Sequence, residues 1–211
     1  MELSSGLEWA EFANALIHSR QNVSPRRLHE PGPSEKQLQD ILGTAAAAPD
    51  HGQLVPWRFV IVPSARRADL AAVFGQALQE RDPSATGAQI ESACEKAHRA
   101  PFLMLAIARL RENGATPVPA TSAAEGGEVA VSDAERLVSF GCAIQNIVLS
   151  AHAAGFGTGL TSGQAMASTH LRALFGLSEH EQAVCCINMG TVSKHKSPRV
   201  RPVVSSFVSS L

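Results

Sequence analysis

Cysteine is scarce in this sequence, and Cys94, Cys142, Cys185 and Cys186 show no C-x-x-C spacing, two of them being adjacent. That argues against a disulfide framework and a zinc knuckle, and it fits a reducing cytoplasm. An excess of charge of either sign is also missing: 18 Lys and Arg face 19 Asp and Glu, for a net charge of −1. No global field would hold such a chain on nucleic acid or an anionic membrane, so any anion site has to be local. The longest apolar run, "FLMLAIA", is far shorter than a bilayer requires. A basic leader is lacking as well, since Glu2, Glu8 and Glu11 precede Arg20, the first cation. The eight histidines contain no H-E-x-x-H and no i, i+4 pair, so no metal site is expected. G-x-S-x-G is absent and Ser162 in "LTSG" has no assignable base, which leaves serine hydrolase chemistry unsupported.

What is present suits a globular chain. Its 211 residues, 45% hydrophobic and 18% charged, are neither disordered, collagenous nor coiled coil, and they are enough to bury roughly 70% of the unfolded surface around one core. One domain, 1–211, is expected. Residues 7 to 18 put Leu7, Trp9, Phe12, Leu16 and Ile17 largely on one helical face. Ser34 is a candidate N-cap for a second helix to about Ala47, which Pro49 ends. "WRFVIV" and "PFLMLAIAR" read as buried strands, with helices over "SARRADLAAVFGQALQER" and "GAQIESACEKAHRA" between them. Residues 112 to 135 carry five acids, no Lys or Arg, two prolines and three glycines, the composition of a mobile excursion or lid. Ser132 and Asp133 then cap a long helix from about Ala134 to Ala154, apolar on nearly every face as at the centre of a domain, which Gly155 stops.

"FGTGLTSG" follows as a short glycine-rich strand, then a brief helix from Leu171 to Phe175, then the strand "QAVCCINMGTV", on which Cys185 and Cys186 point to opposite faces as packing residues. The last stretch, "PVVSSFVSSL", is extended and too isolated to satisfy its own backbone, so it needs another sheet edge. Strands scattered among helix pairs favour an α+β fold over a doubly wound one.

Arg20 lies just past the first helix, and "SRQNVSPRR" adds Arg26, Arg27 and several polar side chains whose donors suit a phosphate. Taken alone, the segment reads first as a solvated loop. A second cluster, "KHKSPRVR", supplies Lys194, Lys196, Arg199 and Arg201 with no intervening acid. Two such clusters on a near-neutral chain are what a small phosphorylated ligand requires, although exposed basic loops also serve solubility. Neither is accompanied by a basic helix or an aromatic platform, which disfavours nucleic acid. "GFGTGLTSG" has a helix before it and a strand after it, the reverse of a dinucleotide fingerprint; Gly155, Gly157 and Gly159 instead permit a helix stop and close approach of a packing element or ligand. His51, in the turn "APDHGQLVPW", is a candidate site residue, though a lone histidine is more often a surface or hydrogen-bonding group.

The ordered set "HSRQNVSPRR", "APDHGQLVPWRFVIV", "AHAAGFGTGLTSG" and "INMGTV" followed by "RVRP" resembles the nitroreductase family of flavoproteins, in particular its compact NAD(P)H nitroreductase branch with an A-P-D-H motif. The likeness spans most of the chain. It implies one FMN-binding α+β domain with a central, mainly antiparallel sheet flanked by helices. A long central helix and a C-terminal arm, residues 202–211, exchanged in a homodimer complete the implied fold. Carried over residue by residue, Ser19, Arg20 and Gln21 match the motif that holds the FMN phosphate and ribityl chain, and His51 matches a flavin-contacting histidine. Leu160, Thr161 and Ser162 match the glycine-rich segment lying along the isoalloxazine ring, often from the partner subunit in this family. Arg199 and Arg201 match the closing basic motif that reaches the phosphate. Gln53, Val55 and Thr161 stand where many relatives have Asn, Gln and Arg, and Glu112 to Glu135 is longer than the segment relatives use beside the substrate pocket. The implied activity takes a hydride from NADH or NADPH through flavin to nitroaromatics, quinones or similar small acceptors, with no catalytic side chain of its own. A flavin-binding or flavin-storing protein with little turnover is the alternative.

Overall fold

The run "PFLMLAIAR" becomes a strand buried on both faces, and it sets the layering of everything around it. The computed structural model describes residues 6–110, 131–197 and 200–211. Its described helices are α1 (Gly6–Ser19), α2 (Glu35–Gly43), α3 (Arg67–Arg81), α4 (Gly87–Cys94), α5 (Asp133–Ala153) and α6 (Thr169–Phe175). The strands are β1 (Leu28–His29), β2 (Trp57–Ile61), β3 (Phe102–Arg109), β4 (Gly157–Thr161) and β5 (Glu181–Val192). They pair in the order β1-β5-β3-β2, with β4 also on β5, and every one of these pairings is antiparallel. This is the α+β architecture expected from the sequence.

Alternation along the strands splits the core in two. Met104, Ala106, Cys185 and Ile187 face α2 and α5, while Leu103, Leu105, Ile107 and Cys186 face α3 and α6. The adjacent cysteines therefore pack on opposite sides. Burial pushes the Cys185 thiol up to about 11 and the Cys186 thiol to about 12, so both are protonated packing groups at neutral pH.

Helix starts follow local chemistry. Ser34 with Gln37, and Ser132 with Glu135, form capping boxes as their positions suggest, and Thr86 with Gln89 forms a third at the start of α4. Three expectations need correction. The excursion read as 112–135 ends sooner: residues 112–130 lie outside the described set, but Val131 is buried and Ser132 already caps α5. Helix α5 is apolar on many faces, yet it buries one stripe, Phe140, Ala143, Ile144, Ile147, Val148 and Ala151, because the sheet covers only one side. Val138 on another face is 67% exposed. Finally, the extended form expected for residues 202–211 is interrupted by a 3-10 turn, Val204–Ser206. With no strand pairing among the described residues, that backbone closes locally, Ser206 N–H on Val203 O at 2.9 Å.

One buried charge ties the layers together. Arg67, at the start of α3, donates to the carbonyls of Val62, Ala97, Ala100 and Pro101 at 2.7–3.3 Å. These carbonyls lie around the ends of β2, the turn after α4 and the entry to β3. Replacing Arg67 by Met strands several buried acceptors, and equilibrium denaturation should report a loss of about 3 kcal/mol.

Candidate functional site

Gly155, with φ +87°, lets the chain leave α5 and turn into β4. The next two glycines face backbone and packing rather than open space. A methyl at Gly157 would collide with Val192 and Leu28, and one at Gly159 would run into the Val23 carbonyl oxygen. The missing side chains let the segment after α1 lie on the free edge of β4. Val23 N–H donates to Thr158 O at 2.7 Å, Leu160 N–H donates to Asn22 Oδ1 at 2.9 Å, and Asn22 and Thr158 form a parallel bridge. From the other side, buried Asn188 donates to Gly159 O at 3.1 Å and Thr161 Oγ1 at 3.0 Å, fixing the far end of the strand.

A cavity of about 200 Å³ opens at the Gly157 end, with Ser19, Arg20, Gln21, Arg27, His152 and His195 in its lining. The two basic clusters of the sequence meet here. Gln21 Nε2 donates to Lys196 O at 3.1 Å, Arg27 Nη1 to Lys194 O at 2.7 Å, and Arg201 Nη2 to Arg20 O at 3.1 Å. The described lining contains no carboxylate. Arg20 Nε and Arg27 Nε are buried without a hydrogen-bond partner among the described residues. Burial, then the neighbouring Arg201 charge, pulls the Arg20 pKa below the ordinary guanidinium value. A guanidinium always charged in proteins, partly desolvated and beside a like charge, stabilises any anion that enters.

A second cavity, about 290 Å³, lies at the other end of β4, where Pro25, Thr161, Ser162 and Gly163 meet apolar Phe74 and Leu78. Five residues of strand separate the two ends, about 13 Å. Leu160 between them is exposed. Thus Ser19, Arg20, Gln21 and Arg201 gather at one end of a track and Leu160, Thr161 and Ser162 at the other, within one chain. Arg199 lies outside the described residues.

His51 is elsewhere. Its Nδ1 is 3.3 Å from Glu135 Oε1 in the first turn of α5, whereas Ser19 Oγ meets His152 Nε2 in the last turn at 2.7 Å. Seventeen residues of helix separate Glu135 from His152, about 25 Å. Asp50, the acid beside His51 in sequence, accepts instead from Val55 N–H at 2.7 Å. That bond holds a turn in which Gln53 and Val55 have φ of +52° and +46°, a conformation costly for a β-branched residue. Ser132 and then His51 keep the Glu135 carboxyl below its usual range.

Residues 20–191 match the family described as "Nitroreductase family". The chain belongs to the nitroreductase family. YdjA of Escherichia coli, which carries the name "Putative NAD(P)H nitroreductase", is 31% identical over 199 residues, covering 92% of this chain and 96% of YdjA. A crystal structure of a nitroreductase-like family protein from Bacillus cereus superposes with a TM-score of 0.77 at 16% identity, covering 100% of this chain and 98% of that one. A nitroreductase with bound FMN from Desulfitobacterium hafniense has a TM-score of 0.62 at 19% identity, covering 93% and 96%. These last two speak for a nitroreductase fold.

Sequence reasoning about this nitroreductase-family chain missed Asn22 on the edge of β4 and His152 and His195 in the Arg20 cavity. Asn22 lies inside "SRQNVSPRR" and His195 inside "KHKSPRVR", so both stand within motifs the sequence offers; His152, inside the long helix and far from either, carries no such signal. The glycine reading resolves in favour of a packing element, the Val23 segment. Gly159→Ala should therefore push that segment off β4 and cost about 1–3 kcal/mol in denaturant melts. Gly43→Ala, at a helical position with open space around it, serves as the control and should hold or slightly raise stability.

Proposed function

We propose that this chain is an FMN-dependent oxidoreductase that takes a hydride from NADH or NADPH and reduces small electron-poor acceptors such as nitroaromatics or quinones. The observation that carries the reading is the cavity at Arg20, which has no carboxylate in its described lining and in which the Nε atoms of Arg20 and Arg27 have no hydrogen-bond partner among the described residues. Those donors fit the 5′-phosphate of FMN, a dianion that needs several fixed N–H groups and no competing acid. Arg201 adds its charge beside Arg20, and Arg199 is proposed to join them. Leu160, Thr161 and Ser162 are the residues proposed to lie along the ring, and the span of about 13 Å along β4 suits an extended FMN. When bound, FMN supplies the hydride-accepting N5 and a redox capacity that amino-acid side chains lack. The chain's own work is to neutralise the phosphate, support one face of the ring and leave the other open to donor and acceptor in turn. No side-chain nucleophile is required.

A homodimer follows from the same reading. His51 is about 25 Å of helix away from Ser19, farther than one FMN molecule extends, so His51 of the partner subunit is the copy proposed to approach the flavin held by Arg20. Trp9 at 57% and Phe207 at 66% exposure, with Val138 on the open face of α5, are apolar surface that a second copy would cover. The arm, 202–211, is proposed to cross to that copy.

Purified protein supplied with FMN should absorb between 350 and 500 nm. Arg20→Ala should weaken FMN retention at least about tenfold, the loss of one charge-assisted contact, while leaving riboflavin binding unchanged. Rapid mixing with NADH or NADPH should bleach the flavin at roughly 1 to 10³ per second, with colour restored by a quinone or nitroaromatic. A flavin that stays yellow under both donors would assign the chain to storage instead.

A further inference from the structure

Phosphate recognition by Arg20 and Arg201 leaves two side chains of the same cavity without a role. His152 stands in the last turn of α5 with Nε2 2.7 Å from Ser19 Oγ, and His195 enters from the segment after β5. We propose that His152, backed by His195, is a proton-gated phosphate ligand that takes up a proton as the FMN phosphate enters and so couples cofactor retention to pH. This rests on the FMN reading above and deepens it.

The charges around His152 set the direction. Arg20 faces it from the end of α1 and His195 from the segment after β5, with Arg27 and Arg201 beyond them on Arg20's side. Among the described lining residues no acid offsets these groups. Burial first, then Arg20, then His195, holds His152 below the ordinary histidine range, so without an anion the imidazole is neutral at pH 7. Ser19 Oγ donates to Leu16 O at 3.3 Å, so the neutral ring spends its single N–H, on Nε2, on Ser19 and has no second proton to offer an anion. A phosphate dianion reverses the balance, because an adjacent opposite charge favours the imidazolium, and the negative end of the α5 dipole acts in the same sense. The imidazolium then donates from both ring nitrogens, one to Ser19 and one toward the anion. Between none and one proton, depending on pH, is taken up from solvent on His152 per phosphate bound; no bond to phosphorus forms or breaks.

The sign follows from linkage. Below the free-state pKa of His152 the ring is already charged and binding takes up no proton. Between the free and the bound value, affinity falls as pH rises, by up to tenfold per pH unit, and above the bound value it is flat again. The phosphate's own second ionisation, near about 6, acts oppositely, so the diagnostic range lies above it.

The test is titration of the flavin-stripped protein with FMN and with riboflavin, by calorimetry in phosphate-free buffers of differing ionisation enthalpy, from about pH 6.5 to 8.5. The unmutated chain should lose FMN affinity by about threefold or more per pH unit over part of that range and take up a fraction of a proton, with riboflavin flat. His152→Gln, which keeps a partner for Ser19, should abolish both the slope and the uptake. The proposal is overturned if His152→Gln retains the wild-type slope, or if riboflavin binds as tightly as FMN with the same slope. Should that variant fail to fold, proton uptake by the unmutated chain decides alone, and uptake near zero overturns the proposal. A chain that binds FMN without a pH slope sinks this inference only, whereas one that takes up no FMN at any pH sinks the underlying reading and the inference with it.

Discussion

The backbones at Val23 and Gly159 lie closer than any side chain between them would allow, and the arrangement of the candidate ligand groups follows from that contact. Strand β4 has one edge on β5 and would otherwise present unpaired amides and carbonyls on the other. Laying the post-α1 segment on that edge satisfies Thr158 O and Leu160 N–H and fixes the direction in which Ser19 to Pro25 runs. Arg20 and Gln21 are thereby delivered to one end of β4 and Pro25 to the other. The segment after β5 is then stitched on through the Lys194 and Lys196 carbonyls, which brings the second basic cluster onto the first.

Two partly or wholly buried arginines illustrate how burial separates a structural cation from a binding one. Arg67 and Arg20 both have pKa values lowered by desolvation. Arg67 spends its donors on carbonyls at the ends of three elements. Arg20 keeps a buried Nε without a partner among the described residues and sits beside another cation. A fold that leaves donors unpaired loses stability by doing so, and an anion that binds only the folded state restores it by mass action. Desolvation that would be a defect in the core becomes affinity in a cavity.

Much of the layering was legible in the sequence. Continuous apolar runs marked β2, β3 and β5, apolar periodicity marked α1, and the Ser34 and Ser132 caps were readable because a capping box lies within four residues. Thr86 satisfies the same rule and escaped notice beside stronger signals. The misreadings were of exposure. Apolar residues around α5 suggested burial on every side, and the apolar tail suggested a strand, but periodicity does not say how many neighbours an element has. The site was half legible: Arg20, Gln21 and Arg201 converge, while His51 sits at the opposite end of α5 from Ser19.

By itself the sequence determined the α+β class, the helix caps, the separation of Cys185 from Cys186 and the two basic clusters, since each depends on residues within a few positions of one another. Only the tertiary structure decided that those clusters share one cavity, that His152 and His195 stand in it, that Gly157 and Gly159 serve a neighbouring backbone, and that His51 lies far from Ser19. Those facts are distances between segments more than a hundred residues apart, or between the two ends of a rigid helix. Local propensity holds no record of them; packing against a common sheet does.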